Sequence, residues 1–219
     1  MTARKSPRIS ARKQPQQARS TELVAAILEA AIQVLAKEGA TRFTTARVAE
    51  RAGVSVGSVY QYFPNKAAIL FRLQSDEWRQ TQDLLTSILA DRQRPPPERL
   101  RALVHAFIRS ECEEATMRGA LDDAAPLYRD APEAREARAS GQRTIRAFMR
   151  EALPKASDAA RQLAGDLIMT TLSAAGKKFS ETPRTAAQIV IHADAMSDMF
   201  CAYLGSLGGT KLPRRSKRL

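Results

Sequence analysis

The sequence has few of the residues on which enzyme and metal sites are usually built. Its 219 residues include two cysteines, Cys112 and Cys201, and two histidines. Two cysteines without a partner motif are too few for a disulfide framework, so we expect a reduced, cytoplasmic protein. Neither His105 nor His192 has a glutamate three residues before it, which excludes the Glu-x-x-His pair of di-iron bundles. With no glycine-rich phosphate loop, zinc-ligand cluster or nucleophile elbow, we expect no catalytic residue, no metal and no cofactor.

Long apolar runs and strand patterns are also missing. No apolar run approaches the roughly 18 residues of a membrane span, so we expect no membrane partner. The N-terminus lacks the apolar core of a signal peptide. Apolar residues make up 44% of the chain, which suffices for a substantial core, and they recur at helical spacing. We therefore predict an all-α protein of about nine helices, with an irregular segment at 119–132.

The net charge of +12 lies almost entirely at the two ends of the chain. Residues 1–20 carry six basic side chains and residues 211–219 carry five, both without an acidic residue, which leaves +1 between them. Both ends lack helical periodicity, so we predict a flexible basic arm at 1–19 and a basic tail at 209–219. The arm either contacts DNA phosphates or a minor groove, or is a solubilising, non-specific segment.

A segment near the N-terminus, FTTARVAERAGVSVGSVYQYFPNK (residues 43–66), predicts two short helices joined by a tight turn. Thr44 or Thr45 is a suitable N-cap for the first helix. Gly53 is suited to end that helix in the left-handed conformation. Ser55 follows as the N-cap of the second helix, so the local signals agree on a helix-turn-helix.

The second predicted helix has one apolar face and one polar face. Val59 and Phe63 lie four residues apart and share a face that can be buried. The opposite surface is expected to carry short or planar hydrogen-bonding groups, which suit the DNA major groove. These are Ser55, Ser58, Tyr60, Gln61 and Tyr62.

The string AGVSVGSVYQYFPNK resembles the DNA-binding signature of the TetR family of bacterial transcription regulators. The long amphipathic helix predicted from about Thr21 to Glu38 is also similar to that family, and the resemblance covers roughly residues 20–70. The glycine, tyrosine, phenylalanine and lysine of the family pattern are present as Gly57, Tyr60, Phe63 and Lys66.

This resemblance implies a helix-turn-helix DNA-binding domain at 20–66 and a larger helical domain for effector binding and dimerisation at 67–208. It further implies a homodimer that binds double-stranded DNA at a palindromic operator. Such a regulator is most often a repressor that a small molecule releases from DNA. Two other classes stay open: a small-molecule binding protein that no longer binds DNA, and a nucleoid-like protein that coats any duplex.

Five side chains are expected to contact the DNA backbone. Tyr60 and Tyr62 are suited to phosphate and sugar, and Lys66 adds positive charge at the start of its helix. Thr44 and Thr45 can donate to phosphate from the start of the first short helix. Tyr62→Ala and Lys66→Ala are expected to weaken operator binding with little loss of fold stability.

Base contacts are expected from the N-terminal half of the second helix, at Ser55, Val56, Gly57 and Ser58, with Gln61 one turn further. Gly57 allows close approach of the backbone to the groove. Gln61 can pair with adenine and Val56 can touch a thymine methyl group. The helix has no arginine, so bidentate contacts to guanine are not expected from it.

Two helices predicted at 157–179 and 184–206 carry small and mid-sized apolar residues at three- and four-residue steps. Such stripes allow close helix approach and suit an interface built from two helices of each subunit. The alternative is packing inside one chain. The expected interface residues are Ala160, Ala164, Leu167, Thr171, Ala174, Ala175, Ala186, Ile189, Val190, Ala193, Met196 and Phe200.

The effector implied by the resemblance is expected to be apolar or aromatic, because the candidate pocket residues are mostly apolar. The alternative for each of them is an ordinary place in a helix-bundle core. They are Trp78, His105, Phe107, Ile108, Cys112, Met117, Tyr128, Phe148, Met149, Met169 and Leu172.

Overall fold

The computed structural model of the protein describes residues 18–128 and 130–208, with the backbone alone for residues 18, 19 and 133–142. The described residues form nine α-helices and one 3₁₀ turn without a strand, which confirms the all-α prediction. No helix among them is long and apolar enough to cross a membrane. The helices are α1 (Ala18–Arg42), α2 (Thr45–Ala52), α3 (Val56–Tyr62), α4 (Lys66–Ala90), α5 (Pro96–Glu113), α6 (Ala115–Ala124), α7 (Pro132–Ala152), α8 (Asp158–Ser180) and α9 (Ala186–Gly208), and the 3₁₀ turn is Ala125–Leu127.

The predicted irregular segment at 119–132 is wrong over most of its length. α6 continues to Ala124 and the 3₁₀ turn follows at once. Leu121 and Ala124, three residues apart, are both buried, and this apolar face outweighs the cost of about 1 kcal/mol for Gly119 inside a helix. Pro126 falls at the start of the 3₁₀ turn, where its missing N–H removes no helical hydrogen bond.

The chain divides into two compact units. The first runs to Gln80 and includes Thr116–Ala139, and the second consists of Thr81–Ala115 and the chain from Ser140 onward. The predicted division into a DNA-binding domain at 20–66 and an effector domain at 67–208 stays a prediction. The predicted basic tail at 209–219 lies outside the described residues, as does the arm at 1–19 except for its last two residues, whose backbone begins α1.

One apolar core holds the first unit together. It brings α1, α2 and α3 together with the first half of α4, with α6 and with the 3₁₀ turn. Ile27 and Leu35 of α1, Phe43 of the α1–α2 connection and Phe63 after α3 are among its fully buried side chains. The helix-turn-helix is therefore packed into a core larger than its own three helices.

Buried polar contacts join α4 to α6 and to Tyr128, which follows the 3₁₀ turn, within this unit. The Tyr128 hydroxyl lies 3.0 Å from the Leu121 carbonyl oxygen and 3.2 Å from Gln74 Oε1. Gln74 Nε2 donates to Glu77 at 2.9 Å, and Arg118 pairs with Glu77 at 2.9 Å. Burial raises the pKa of Tyr128 far above its usual value, so the hydroxyl remains a donor. These contacts satisfy polar groups that would cost about 1–3 kcal/mol each if left unpaired.

In the second unit α8 packs closely on α5 and α7 because it has glycine at the contact points. A Cβ at Gly176 would lie 3.0 Å from the Phe107 ring and 3.3 Å from Ile108 Cδ1. A Cβ at Gly165 would lie 3.0 Å from Ile145 Cγ2. A Cβ at either position would require the neighbouring side chains to shift by a few tenths of an ångström.

A buried arginine links three helices of the second unit. Arg99 of α5 donates to the Leu89 carbonyl oxygen near the end of α4 at 2.7 Å. Its guanidinium also pairs with Glu151 of α7 and lies 5.5 Å from the centroid of the Phe148 ring. The hydrogen bond from Arg99 lowers the pKa of Glu151, so this carboxylate stays charged near neutral pH. The pair compensates a cation that burial would otherwise disfavour.

Candidate nucleic-acid interface

Side-chain and backbone caps define both short helices. Thr44 Oγ1 accepts the Arg47 N–H at 3.3 Å at the start of α2, so Thr44 rather than Thr45 is the N-cap. Gly53 ends α2 with φ of 67°, which is the left-handed conformation that favours glycine. Ser55 Oγ accepts the Ser58 N–H at 3.0 Å at the start of α3. The predicted helix-turn-helix boundaries are confirmed.

The inner side of α3 carries three buried side chains, one more than predicted. Val59 and Phe63 are fully buried, as expected. Tyr62 is also buried, with 6% of its surface exposed, although the sequence analysis placed it on the outer surface. Tyr62 lies on the same side of α3 as Val59, because residues three apart in a helix share a face. The expectation that Tyr62→Ala costs little stability is therefore wrong.

Thr45 needs a similar correction. It was expected to donate to phosphate, but its side chain is buried among core residues. It precedes Val48 and Ala49 by three and four residues and shares their inward face. Thr44, the residue before it, is exposed, and its side-chain oxygen is engaged as the N-cap of α2.

The outer side of α3 is exposed and uncharged. Val56 is 39% exposed and Tyr60 is 42% exposed, and Gly57 and Gln61 are also exposed. Ser58 is half-buried, and its hydroxyl lies 2.8 Å from that of Ser55. The two serine hydroxyls are therefore engaged with each other before any ligand arrives.

Lys66 lies at the first position of α4, immediately after α3 and its connecting residues. Asn65 caps this helix by accepting the Ala68 N–H at 2.9 Å through its side-chain oxygen. The Lys66 side chain is half-exposed. A cation at this position lies beside the backbone N–H groups of the first turn, which also favour an anion.

Two arginines of α2, which the sequence analysis did not select, are used within the unit. Arg47 pairs with Glu38 of α1 and donates to the Arg42 carbonyl oxygen at 3.4 Å. Arg51 donates to the side-chain oxygen of Gln33 of α1. They line a cleft of about 530 Å³ between α1 and α2 and join these helices. No sequence periodicity distinguishes such arginines from groups that contact DNA.

The predicted pocket residues are divided between the two units. Met117 and Tyr128 pack at the first core, and Tyr128 belongs to the polar contacts described above. Phe107, Ile108 and Met149 pack against the glycines of α8. The half-buried members are Trp78 and Met117 in the first unit and His105, Cys112 and Met169 in the second, and the remaining members, Phe148 and Leu172, are buried in the second core.

The predicted dimer residues also divide into two groups. Ala164, Ala193, Met196 and Phe200 are buried in the core of their own chain, so their assignment to a subunit interface is wrong. The half-buried members are Ala160, Thr171, Ala175 and Ile189, and the exposed members are Leu167, Ala174, Ala186 and Val190.

Besides the predicted interface residues Leu167 and Val190, further large apolar side chains of α8 and α9 are exposed. Leu163 is 63% exposed, Ile191 is 69% exposed and Met199 is 51% exposed. α9 has apolar residues on two sides, so its pattern alone does not tell which side faces the chain's own core. In the structure α5 packs against one of these sides and leaves the other facing outward.

Two capped short helices with a buried inner side and an exposed, uncharged outer side define a helix-turn-helix DNA-binding protein. A family model described as "Bacterial regulatory proteins, tetR family" matches residues 27–73. A second, "Tetracyclin repressor-like, C-terminal domain", matches residues 95–207, which is more than half of the chain. The protein belongs to the TetR family of bacterial transcriptional regulators and is a DNA-binding regulator.

Individual relatives agree with this family. The nucleoid occlusion factor SlmA of Vibrio campbellii (strain ATCC BAA-1116) is 35% identical over 83 residues, or 37% of this chain. That match spans less than half of the relative, 42% of its length. The fatty acid degradation regulator FadR of Bacillus halodurans has a TM-score of 0.65 at 19% identity, over 89% of this chain and 98% of that one. FadR of Bacillus subtilis in complex with stearoyl-CoA has a TM-score of 0.62 at 17% identity, over 81% and 97%. These two structures share the fold.

Tyr62→Ala is expected to destabilise the protein by about 3–5 kcal/mol, because removing a buried ring leaves a cavity. Tyr60→Ala is expected to change stability by less than about 1 kcal/mol, since its ring is largely exposed. Urea unfolding followed by circular dichroism measures both. Tyr62→Phe keeps the ring and is the matched control. Equal unfolding midpoints for the two alanine variants would contradict the burial of Tyr62.

Proposed function

We propose that this regulator is a repressor that binds a palindromic operator as a homodimer and leaves DNA when a small apolar or aromatic effector binds. The outer side of α3 is the observation that carries the DNA-binding part of the proposal. Val56, Gly57, Tyr60 and Gln61 are exposed there, on a helix that caps and core packing hold in place. A short helix with that surface fits the major groove.

Gly57 supports close approach of α3 to DNA. Its φ is not in the left-handed region, so the backbone does not require glycine. A Cβ at this position would meet the Ser55 Oγ at 3.6 Å, an ordinary contact, so packing does not require glycine either. Glycine in the middle of a helix costs roughly 0.5–1 kcal/mol relative to alanine, and in the first turn, where Gly57 lies, it costs at most that much. Glycine at position 57 therefore lowers the stability of α3 without a structural need, and we attribute its presence to the space that DNA requires beside this helix.

Gly57→Ala is expected to stabilise the protein by up to about 1 kcal/mol and to weaken operator binding at least about tenfold, because the added methyl group meets the DNA. Unfolding midpoints and gel shifts with a palindrome from upstream of the protein's own gene measure the two effects. Gly119→Ala is the matched control: it lies in α6 with open space around it, and it should gain stability without losing DNA affinity.

Scrambled DNA in the same gel shifts separates the other two classes. A small-molecule binding protein without DNA affinity would shift neither duplex. A nucleoid-coating protein would shift both with similar affinity. A sequence-specific regulator would prefer the palindrome over scrambled DNA, and Gly57→Ala would reduce its affinity for the palindrome. An unchanged affinity of that variant for the palindrome would contradict the proposed groove contact.

The homodimer is proposed to form through the outer sides of α8 and α9. Leu163 and Leu167 of α8 lie one helical turn apart, and Ile191 and Met199 of α9 lie two turns apart, so each helix presents an apolar row. Exposed apolar groups on two neighbouring helices are suited to contact with a second copy about a two-fold axis. Two copies also present two α3 helices to the two halves of a palindrome.

The double variant Leu163→Glu with Ile191→Glu is expected to be monomeric at micromolar concentration, because four carboxylates would face each other across the two-fold axis. It should also lose operator affinity, since each subunit contacts one half-site. Sedimentation velocity measures the mass. Leu84→Glu, at an exposed leucine of α4, is the control and should leave the dimer intact. A double variant with an unchanged mass would place the interface elsewhere.

The effector part of the proposal rests on family membership and on side-chain chemistry. The second core is built from aliphatic, aromatic and methionine side chains, and several half-buried residues lie at its edge. Phe107, Ile108 and Met149 pack against the α8 glycines, which leaves little space for a ligand at those points. An effector is therefore expected to contact the edge of this core rather than its centre, and an apolar surface there favours an apolar compound.

Fatty acids and aromatic acids are expected to raise the unfolding midpoint of the protein and to release it from the operator in gel shifts. A ligand that binds the folded protein raises its stability through mass action. Sugars and amino acids at equal concentration are the comparison set. If compounds of that set release the operator and the apolar compounds do not, the proposed effector class is wrong.

A further inference from the structure

The outer side of α3 offers apolar groups where a charged helix would offer hydrogen-bond donors. From Val54 to Asn65 the chain has no charged residue. Val56 and Tyr60, four residues apart, lie on the same side of α3 and rank among the exposed large apolar side chains of the described residues. Gly57 follows Val56 and adds no side chain that would keep the groove at a distance.

The polar groups of this helix are partly engaged. Ser55 Oγ accepts the Ser58 N–H at 3.0 Å and lies 2.8 Å from the Ser58 hydroxyl. The two α2 arginines nearest in sequence are engaged with α1, at Glu38 and Gln33. Gln61 is the exposed long polar side chain of α3. Hydrogen bonds to base edges from α3 are therefore few.

In the major groove, the apolar group that distinguishes base pairs is the methyl group on C5 of thymine. Adenine and guanine present acceptors and donors there, and unmodified cytosine presents an amino group and a C5 hydrogen. An exposed valine gains from contact with a methyl group and gains nothing from an amino group or a carbonyl oxygen. 5-Methylcytosine carries its methyl group at the same position in the groove as thymine.

We propose that Val56 is a specificity-determining residue that recognises a C5-methyl group in each operator half-site. This rests on the proposed operator binding and deepens it. The half-site is expected to contain a thymine opposite Val56, with the Tyr60 ring covering the side of the contact. Cytosine at that position binds more weakly, and 5-methylcytosine restores the lost contact. Methylation of cytosine in such a site would then strengthen binding.

The test replaces each thymine of the operator in turn by deoxyuridine, which removes the methyl group and leaves every hydrogen-bonding group in place. Wild-type protein is expected to bind about fourfold more weakly when the one contacted thymine of a half-site is replaced, and about fifteenfold more weakly when both half-sites are changed. Cytosine and 5-methylcytosine at that position should differ by the same factor of about four.

Val56→Ala shortens the side chain and should remove this dependence, so that thymine and deoxyuridine at the contacted position bind within about 1.5-fold of each other. Because Val56 is exposed at the first position of α3, the variant is expected to remain folded, which the unfolding midpoint checks. Leu84→Ala, at an exposed leucine of α4, should keep the full deoxyuridine effect.

The outcomes separate this inference from the proposed function. A wild-type protein that prefers its operator strongly yet binds every deoxyuridine-substituted operator equally well overturns the methyl recognition and leaves operator binding intact. A deoxyuridine effect that persists in Val56→Ala assigns the methyl contact to another residue and overturns the role of Val56. A wild-type protein without preference for any duplex overturns both proposals.

Discussion

The burial of one side of α3 is the constraint on which the DNA-binding surface depends. A helix of seven residues is too short to be stable by itself in water. Val59, Tyr62 and Phe63 hold it against the core of the first unit, and Ser55 satisfies an N–H group at its start. Everything that α3 presents outward is fixed by these inward contacts.

The same constraint limits what is left for DNA. With three side chains buried around α3 and its two serines engaged with each other, four exposed residues remain: Val56, Gly57, Tyr60 and Gln61. None is charged. In the proposed complex with DNA, attraction to phosphates comes from outside α3, and Lys66 is a candidate to supply part of it. The net charge of +12 resides largely in the two ends of the chain, at 1–20 and 211–219, of which the structure describes only residues 18–20. The residues proposed to contact base edges and the residues that carry most of the charge thus lie in different parts of the sequence.

The ends of the short helices could be predicted from the sequence, but which side of a helix is buried was harder to predict. The caps at Thr44 and Ser55 and the left-handed Gly53 follow from residues within one turn of each other, so the sequence sufficed to predict them. The three-residue spacing of Val59 and Tyr62 fits a buried position for Tyr62, but its phenolic hydroxyl also suits an exposed one, and the spacing alone does not decide between them. α6 was missed because Gly119 and Pro126 suggested a loop, whereas tertiary burial of its apolar side outweighed them.

α3 and α9 each bury one side in the core of the chain and leave apolar side chains exposed on the other. α9 packs its inner side against α5, where Arg101 pairs with Asp198, and His105 lies 3.2 Å from Asp194. These polar pairs border the core contact and leave Ile191 and its neighbours outside it, just as the inner contacts of α3 leave Val56 outside. An apolar side chain that remains exposed beside a complete core is available for contact with apolar groups of a partner. The proposed partners are methyl groups of DNA for α3 and a second subunit for α9. Folding and recognition thus use opposite sides of the same helices, which allows substitutions on the outer sides to separate them.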